Sequence, residues 1–409
     1  MAEQTAQARS LRPATQLIHG GRERSQFQET SEPIYLTQSY IYESAEQAEA
    51  TFNGEVDRFI YSRYGNPTVY TFQEKLRILE GAEACVATAT GMSAVFTALA
   101  ALVQQGSRIV AARALFGSSL VIFDEIFAKW GVKTDYVDGH VLSDWQEALS
   151  TPADVVFFET PSNPMQDIID VRTVSNLAHQ AGATVVVDNV FATPICQRPL
   201  ELGADIVVYS ATKHIDGQGR VLGGAILGPA DYIDGPVQVF IRNTGPSLSP
   251  FNAWVLLKGL ETMPIRVAAQ TASALHIAQT LEQLPGIGKV RYPFLESHSQ
   301  YELAKAQQTG GGTVVTFDLA LPEGVSPEAE KQAAFKFLNG LELVAISNNL
   351  GDAKSLVTHP ATTTHRRLGI EGRAKVGMRE STVRLSVGLE DAQDILDDVA
   401  IALRAAAAN

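Results

Sequence analysis

Short apolar, β-branched runs recur through the middle of the chain, and stretches with helical spacing separate them. Arg108-Ile109-Val110-Ala111, Thr134-Asp135-Tyr136-Val137, Asp154-Val155-Val156-Phe157-Phe158-Glu159, Thr184-Val185-Val186-Val187 and Asp205-Ile206-Val207-Val208-Tyr209 read as strands. Residues 119–130 and 174–180 read as helices among them. Strands apolar on both faces and alternating with helices predict a mostly parallel sheet covered on both sides. Near Pro246 and Pro250 the pattern changes. A long helical stretch covers 251–281, and residues 313–319 and 381–387 then alternate apolar and polar positions, as half-exposed antiparallel strands do. Residues 343–347 read as a further strand and 390–408 as a closing amphipathic helix. The expected organisation is an irregular arm over 1–65, an α/β domain over 66–260 and a smaller α+β domain over 261–409.

Composition narrows the partners. The 409 residues, 45% hydrophobic and 19% charged, suit a globular protein with ample core. At about 150 residues per domain the length predicts two or three domains. A net charge of −13 argues against nucleic acid or an anionic membrane surface as partner. No apolar run approaches the roughly 20 residues of a membrane span. Residues 1–13 are polar, with Arg9 and Arg12 and no apolar signal core. Cys85 and Cys196, the two cysteines, sit among apolar neighbours and make no disulfide framework, which fits a reducing, cytoplasmic setting. The eight histidines lack metal-ligand spacing, so no metal is expected.

The chemistry gathers at strand ends. Asp188 and Lys213 each follow a buried run, where α/β sheets place their ligands. Pyridoxal phosphate (PLP) needs this combination: a lysine for the Schiff base, an acid beside the pyridinium nitrogen and hydroxyls for the phosphate. Ser210 and Thr212 supply hydroxyls beside Lys213. Thr88-Ala89-Thr90-Gly91-Met92-Ser93-Ala94 is a small-residue turn opening a helix, whose first N–H groups are free to hold an anion. Asn66-Pro67 forces a turn that leaves Tyr61 and Arg63 exposed, the arginine suited to bidentate phosphate contact. Thr160-Pro161-Ser162-Asn163-Pro164 presents Asn163 at the sheet's C-terminal edge, and Arg384 on a late strand suits a carboxylate. Gly217-Gln218-Gly219-Arg220 with Gly223-Gly224 lacks the G-x-G-x-x-G spacing and follows a lysine, so it is no dinucleotide loop.

Taken together the motifs resemble the PLP-dependent trans-sulfuration (Cys/Met metabolism) enzymes of fold-type I, the aspartate aminotransferase-like architecture. The resemblance runs from about His19 onward. Its carriers are Tyr61-Ser62-Arg63-Tyr64-Gly65-Asn66-Pro67-Thr68, Gly91-Met92, Glu159-Thr160-Pro161-Ser162-Asn163-Pro164, Asp188-Asn189-Val190-Phe191 and Ser210-Ala211-Thr212-Lys213-His214. Ser249-Pro250-Phe251-Asn252-Ala253-Trp254 and Val383-Arg384-Leu385-Ser386-Val387-Gly388-Leu389-Glu390 complete them. The resemblance implies that Lys213 is the Schiff-base lysine and that Asp188 partners the ring nitrogen. It implies phosphate ligands at Gly91, Met92, Ser210 and Thr212 from the same subunit, and at Tyr61 and Arg63 from a neighbouring one. Asn163 and Arg384, with Ser347 beside them, match the residues that hold the substrate α-carboxylate. An active dimer follows, and a homotetramer of two such dimers is the usual assembly.

The family commonly has Tyr-Gly where this chain has Phe116-Gly117, the ring that stacks on the cofactor. Phe116 moves no proton, which leaves Lys213, with Tyr61 nearby, to carry that traffic. Asn349-Leu350-Gly351-Asp352-Ala353-Lys354-Ser355-Leu356 and His359-Pro360-Ala361-Thr362-Thr363-Thr364-His365 resemble the sulfhydrylase branch. Methionine γ-lyases carry a cysteine where Ser118 stands, which argues against that activity. The implied reaction is a γ-replacement in methionine biosynthesis, in which sulfide displaces succinate from O-succinyl-L-homoserine to give L-homocysteine. Cysteine as nucleophile (cystathionine γ-synthase), an O-acetyl donor, an elimination-only lyase and a non-catalytic PLP-binding protein stand as alternatives. For the succinyl carboxylate Arg22, Arg113 and Arg366 are equal candidates.

Overall fold

The structure, a computed structural model, describes residues 11–21 and 24–407. Residues 1–10 of the expected arm, with Arg9, and the candidate Arg22 lie outside the described residues. Seven strands make the central sheet: β1 (Ala84–Thr88), β2 (Arg108–Ala112), β3 (Lys133–Val137), β4 (Val155–Glu159), β5 (Thr184–Asp188), β6 (Ile206–Ser210) and β7 (Gly224–Gly228), in the order β1-β7-β6-β5-β4-β2-β3. Strands β2 to β6 pair in parallel, and β7 runs antiparallel to both its neighbours. The two faces are built by alternation: Ile206 and Val208 enter one buried cluster, Val207 and Tyr209 the other. Because both faces are covered, β4 to β6 read in the sequence as unbroken apolar runs. Parallel strands end together, so the C-terminal residues of β4, β5 and β6 (Glu159, Asp188 and Ser210) share one edge.

A second sheet holds β8 (Ile287–Arg291), β9 (Val314–Leu319), β10 (Ala345–Ile346), β11 (Leu356–Thr358) and β12 (Thr382–Ser386), ordered β10-β11-β12-β9-β8. It is antiparallel except for β10 beside β11. Two expectations need correction here. Strands β9 and β12 are buried along their whole length instead of half-exposed. Val315, Phe317, Val383 and Leu385 pack in a core shared with the helices Pro327–Asn339 and Ala392–Ala407. The alternate positions face the larger unit instead of water: Thr316 Oγ1 donates to the Pro164 carbonyl at 2.6 Å, and Arg384 Nη1 to Asn163 Oδ1 at 3.1 Å. The strand expected over 343–347 shrinks to the two exposed residues of β10 and ends before Ser347.

The helix Pro250–Leu281 links the two units. Leu256, Leu257, Leu260 and Met263 belong to the core beneath the first sheet, and Ala274, Ile277, Ala278 and Leu281 to that of the second. The arm is pinned where it meets the body. Leu17 is buried against Phe72 and Leu76, and Glu32 forms ion pairs with Lys75 and Lys258. Beyond those anchors it leaves Phe27, Leu36, Ile41 and Phe52 exposed. No helix among the described residues is long and apolar enough to cross a membrane.

Candidate active site

The strand ends open on a pocket of about 260 Å³ lined by Gly91, Met92, Phe116, Asn163, Asp188, Ser210, Thr212, Lys213 and Arg384, together with Glu159, Asn348 and Phe191. Helix Gly91–Ala100 begins at its wall. Thr90 caps it, its hydroxyl accepting from Ser93 N at 3.0 Å, while the Gly91 and Met92 amides lie in the first turn without intrahelical partners. Gly91 allows a close approach that no other residue permits. A Cβ there would sit 2.5 Å from Ser210 Cβ and 2.7 Å from its Oγ. The helix N-terminus and the Ser210 hydroxyl thus converge, an arrangement suited to a phosphate. Thr212 Oγ1 lies nearby but is engaged with Gly223, accepting from its amide at 3.1 Å.

Asp188 and Glu159 stand opposite each other in the β4–β5 register. Asp188 Oδ1 accepts from Val190 N at 3.0 Å, and burial pushes its pKa up to about 6. Glu159 accepts the Phe116 amide at 2.6 Å. Burial, and then the neighbouring Asp188 charge, push Glu159 well above the usual carboxylate range. In the sequence the only signal for Glu159 is a carboxylate ending a buried strand.

Lys213 Nζ donates to Asn349 Oδ1 at 2.6 Å. Burial, with the Arg384 charge beside it, lowers its pKa to about 8. His214, next in the chain, turns to Thr313 at 2.7 Å, and burial holds it neutral with a pKa of about 3. Arg384 is buried at 2% exposure, and burial lowers its pKa to about 10, so it stays cationic at neutral pH. Beyond Asn163, its guanidinium donates to the carbonyls of Asn348 at 2.9 Å and Asn349 at 3.2 Å. Its Nε is buried with no partner, and no carboxylate pairs with it among the described residues. A buried cation with a spare donor is costly unless an anion joins it, so this corner is made for a carboxylate.

Three expected residues lie outside the pocket. Tyr61 and Arg63 pack together instead, the Arg63 guanidinium 5.2 Å from the Tyr61 ring centre and 4.8 Å from that of Tyr64. Arg63 also donates to the Arg242 carbonyl. Ser347 is half-buried, its amide bonded to the Val357 carbonyl at 2.9 Å, and it does not line the pocket. Asn348 and Asn349 take the place expected for it, the first lining the pocket and the second holding Lys213.

The donor set fits PLP: an anion cradle, an acid beside a ring-sized space, an aromatic wall and a lysine of lowered pKa. The pattern of the family described as Cys/Met metabolism PLP-dependent enzyme matches residues 14–404. The chain belongs to this family of PLP-dependent Cys/Met metabolism enzymes. Among its relatives, O-succinylhomoserine sulfhydrylase of Mycobacterium tuberculosis is 60% identical over 390 residues, 95% of each chain. The enzyme of the same name from Pseudomonas aeruginosa is 44% identical, covering 96% of this chain and 95% of that one. A solved Campylobacter jejuni chain, described as an O-acetylhomoserine (thiol)-lyase with N'-pyridoxyl-lysine-5'-monophosphate, superposes with a TM-score of 0.90 at 29% identity, covering 96% of this chain and 100% of its own.

Membership in this PLP-dependent family gives the lysine a measurable property. Capture of the cofactor aldehyde needs a neutral amine, so PLP loading onto the apoprotein is expected to quicken as pH rises and to level off above about 8. Stopped-flow absorbance after mixing, repeated across pH, measures this, and a profile still climbing beyond pH 10 contradicts the lowered pKa.

Proposed function

We propose that this enzyme joins sulfide to O-succinyl-L-homoserine, breaking the Cγ–O bond, forming a Cγ–S bond and releasing succinate and L-homocysteine. The observation that carries this reading is the 60% identity, across 95% of both chains, to an O-succinylhomoserine sulfhydrylase. Bound PLP supplies an electron sink for the charge that develops at Cα and Cβ of the substrate. Gly91, Met92, Ser210 and Thr212 would hold its phosphate. Asp188 would partner the ring nitrogen and favour its protonated form. Phe116 would cover the ring, and the Glu159–Phe116 hydrogen bond fixes that residue's backbone.

Arg384 and Asn163 take the substrate α-carboxylate in a bidentate clamp that orients the Cα proton. Lys213 then removes that proton and later returns it. Its lowered pKa leaves a useful fraction unprotonated near neutrality, and the Asn349 side chain steadies it at 2.6 Å. Since Phe116 carries no hydroxyl, Lys213 does most of this work, with Tyr61 of the neighbouring subunit beside it.

Tyr61 and Arg63 complete the phosphate site of the next subunit in a homodimer, and two dimers form a homotetramer. Support comes from their absence from the pocket lining of their own chain and from the apolar Leu36, Ile41 and Phe52 left exposed on the same arm. The enzyme works in the cytoplasm, a setting compatible with the free thiols of Cys85 and Cys196.

Initial rates with O-succinyl-L-homoserine and sulfide, cysteine or no nucleophile test the reading. Homocysteine formation with sulfide is expected to be the fastest of the three. Cystathionine forming more readily from cysteine, or 2-oxobutyrate forming at full rate without a nucleophile, overturns it.

A further inference from the structure

Beyond Lys213 the pocket opens into a cavity of about 1470 Å³. Its lining includes Lys213, Arg220, Arg366 and Arg367 and no Asp or Glu, in a chain whose net charge is −13. A cationic chamber within an acidic protein selects for an anionic ligand. Two of the outer arginines already have carboxylate partners. Arg220 pairs with Asp216 at 2.8 Å and Arg367 with Glu125 at 3.0 Å. Arg366 has no ion-pair partner among the described residues.

The segment carrying Arg366 is well anchored. Thr363 Oγ1 donates to the His359 carbonyl at 2.7 Å and contacts Thr358 Oγ1 at 3.1 Å. The Thr364 carbonyl lies so close to Gly117 that a Cβ there would meet it at 2.9 Å. Residues 362–366 are therefore held against the Phe116-Gly117 turn, on a wall of the chamber. Among the sequence candidates, Arg113 is turned aside, bonded to the Tyr136 carbonyl at 3.2 Å, and does not line the cavity.

We propose that Arg366 is a specificity-determining residue that receives the distal carboxylate of the donor's acyl group. The proposal rests on the donor assignment above: once Asn163 and Arg384 hold the α-carboxylate, a succinyl ester still carries a second carboxylate at its far end. A planar guanidinium free of other ion pairs matches that group. A carboxylate on the nucleophile, as in cysteine, has the same chemistry, and the choice of substrates separates the two sources.

The test compares holoenzymes of the wild type, Arg366→Ala, Arg366→Lys and Arg367→Ala with O-succinyl- and O-acetyl-L-homoserine, sulfide being the nucleophile. Arg366→Ala is expected to lose about 10- to 100-fold in kcat/KM for the succinyl donor, mostly through KM, because a charge-assisted contact is lost. The acetyl donor, which lacks the distal carboxylate, changes little. Arg366→Lys recovers part of the loss, succinate weakens as an inhibitor of Arg366→Ala, and Arg367→Ala keeps the wild-type donor ratio. Equal losses on both donors, no loss on either, or a loss seen only with cysteine as nucleophile overturn the role of Arg366 and leave the donor assignment standing. A wild-type enzyme inert toward O-succinyl-L-homoserine and sulfide overturns the donor assignment, and this role with it.

Discussion

Lys213→Ala is expected to lower homocysteine formation by on the order of 10⁴-fold or more, since in the proposed function it removes both the cofactor anchor and the base. No neighbour in its own chain is placed to replace it. Asp188 and Glu159 face each other across the strand ends, and His214 is turned to Thr313 and held neutral by burial with a pKa of about 3. Arg384, the remaining strong base, is a permanent cation at working pH. The fold should survive, because among the described residues the lysine side chain makes only the Asn349 hydrogen bond. The measurement pairs turnover with thermal unfolding and with the near-visible absorbance of the loaded protein. Activity retained at a tenth of the wild-type rate in a folded variant contradicts the assignment.

Mixing two dead variants is expected to restore activity. Arg63→Ala removes a cation that, in a single chain, lies apart from the Lys213 pocket, packed on Tyr61 and Tyr64. If Arg63 serves the adjacent subunit, a hybrid of Arg63→Ala with Lys213→Ala contains one site with both defects and one with neither. Random pairing in a two-fold dimer then returns roughly a quarter of wild-type activity. Subunits carrying different affinity tags identify the hybrids by mass and permit their assay alone. Hybrids that stay inactive place the role of Arg63 within its own chain.

Much of this was readable in the sequence, for identifiable reasons. Strands β4 to β6 are apolar on both faces, so Val155 to Phe158 and Val185 to Val187 announce themselves without any periodicity. The residues ending those strands lead straight to Asp188 and Lys213. Strand β7 stayed hidden because only Ala225, Ile226 and Leu227 stand between its terminal glycines, too short a run to distinguish from a loop. The alternation in β9 and β12 is legible in the sequence but suggests a face open to water. Periodicity tells that Thr316, Arg384 and Ser386 share a face, not what covers it, and here the cover is the other unit. The Lys213–Asn349 hydrogen bond joins residues 136 positions apart, a proximity no local pattern encodes. Ser347 shows the same limit: with β10 reduced to two residues, the chain turns early and brings Asn348 to the pocket.

The helix Pro250–Leu281 has a mechanical consequence for the whole molecule. Its first half completes the core under one sheet and its last turns complete the core of the other. Neither sheet keeps its full hydrophobic complement if the chain is severed near residue 260. Asn163 from one unit and Arg384 from the other, the two halves of the proposed carboxylate clamp, are therefore joined across elements that one helix braces. Melting either sheet separates the two residues, so activity is expected to be lost no later than the first unfolding transition.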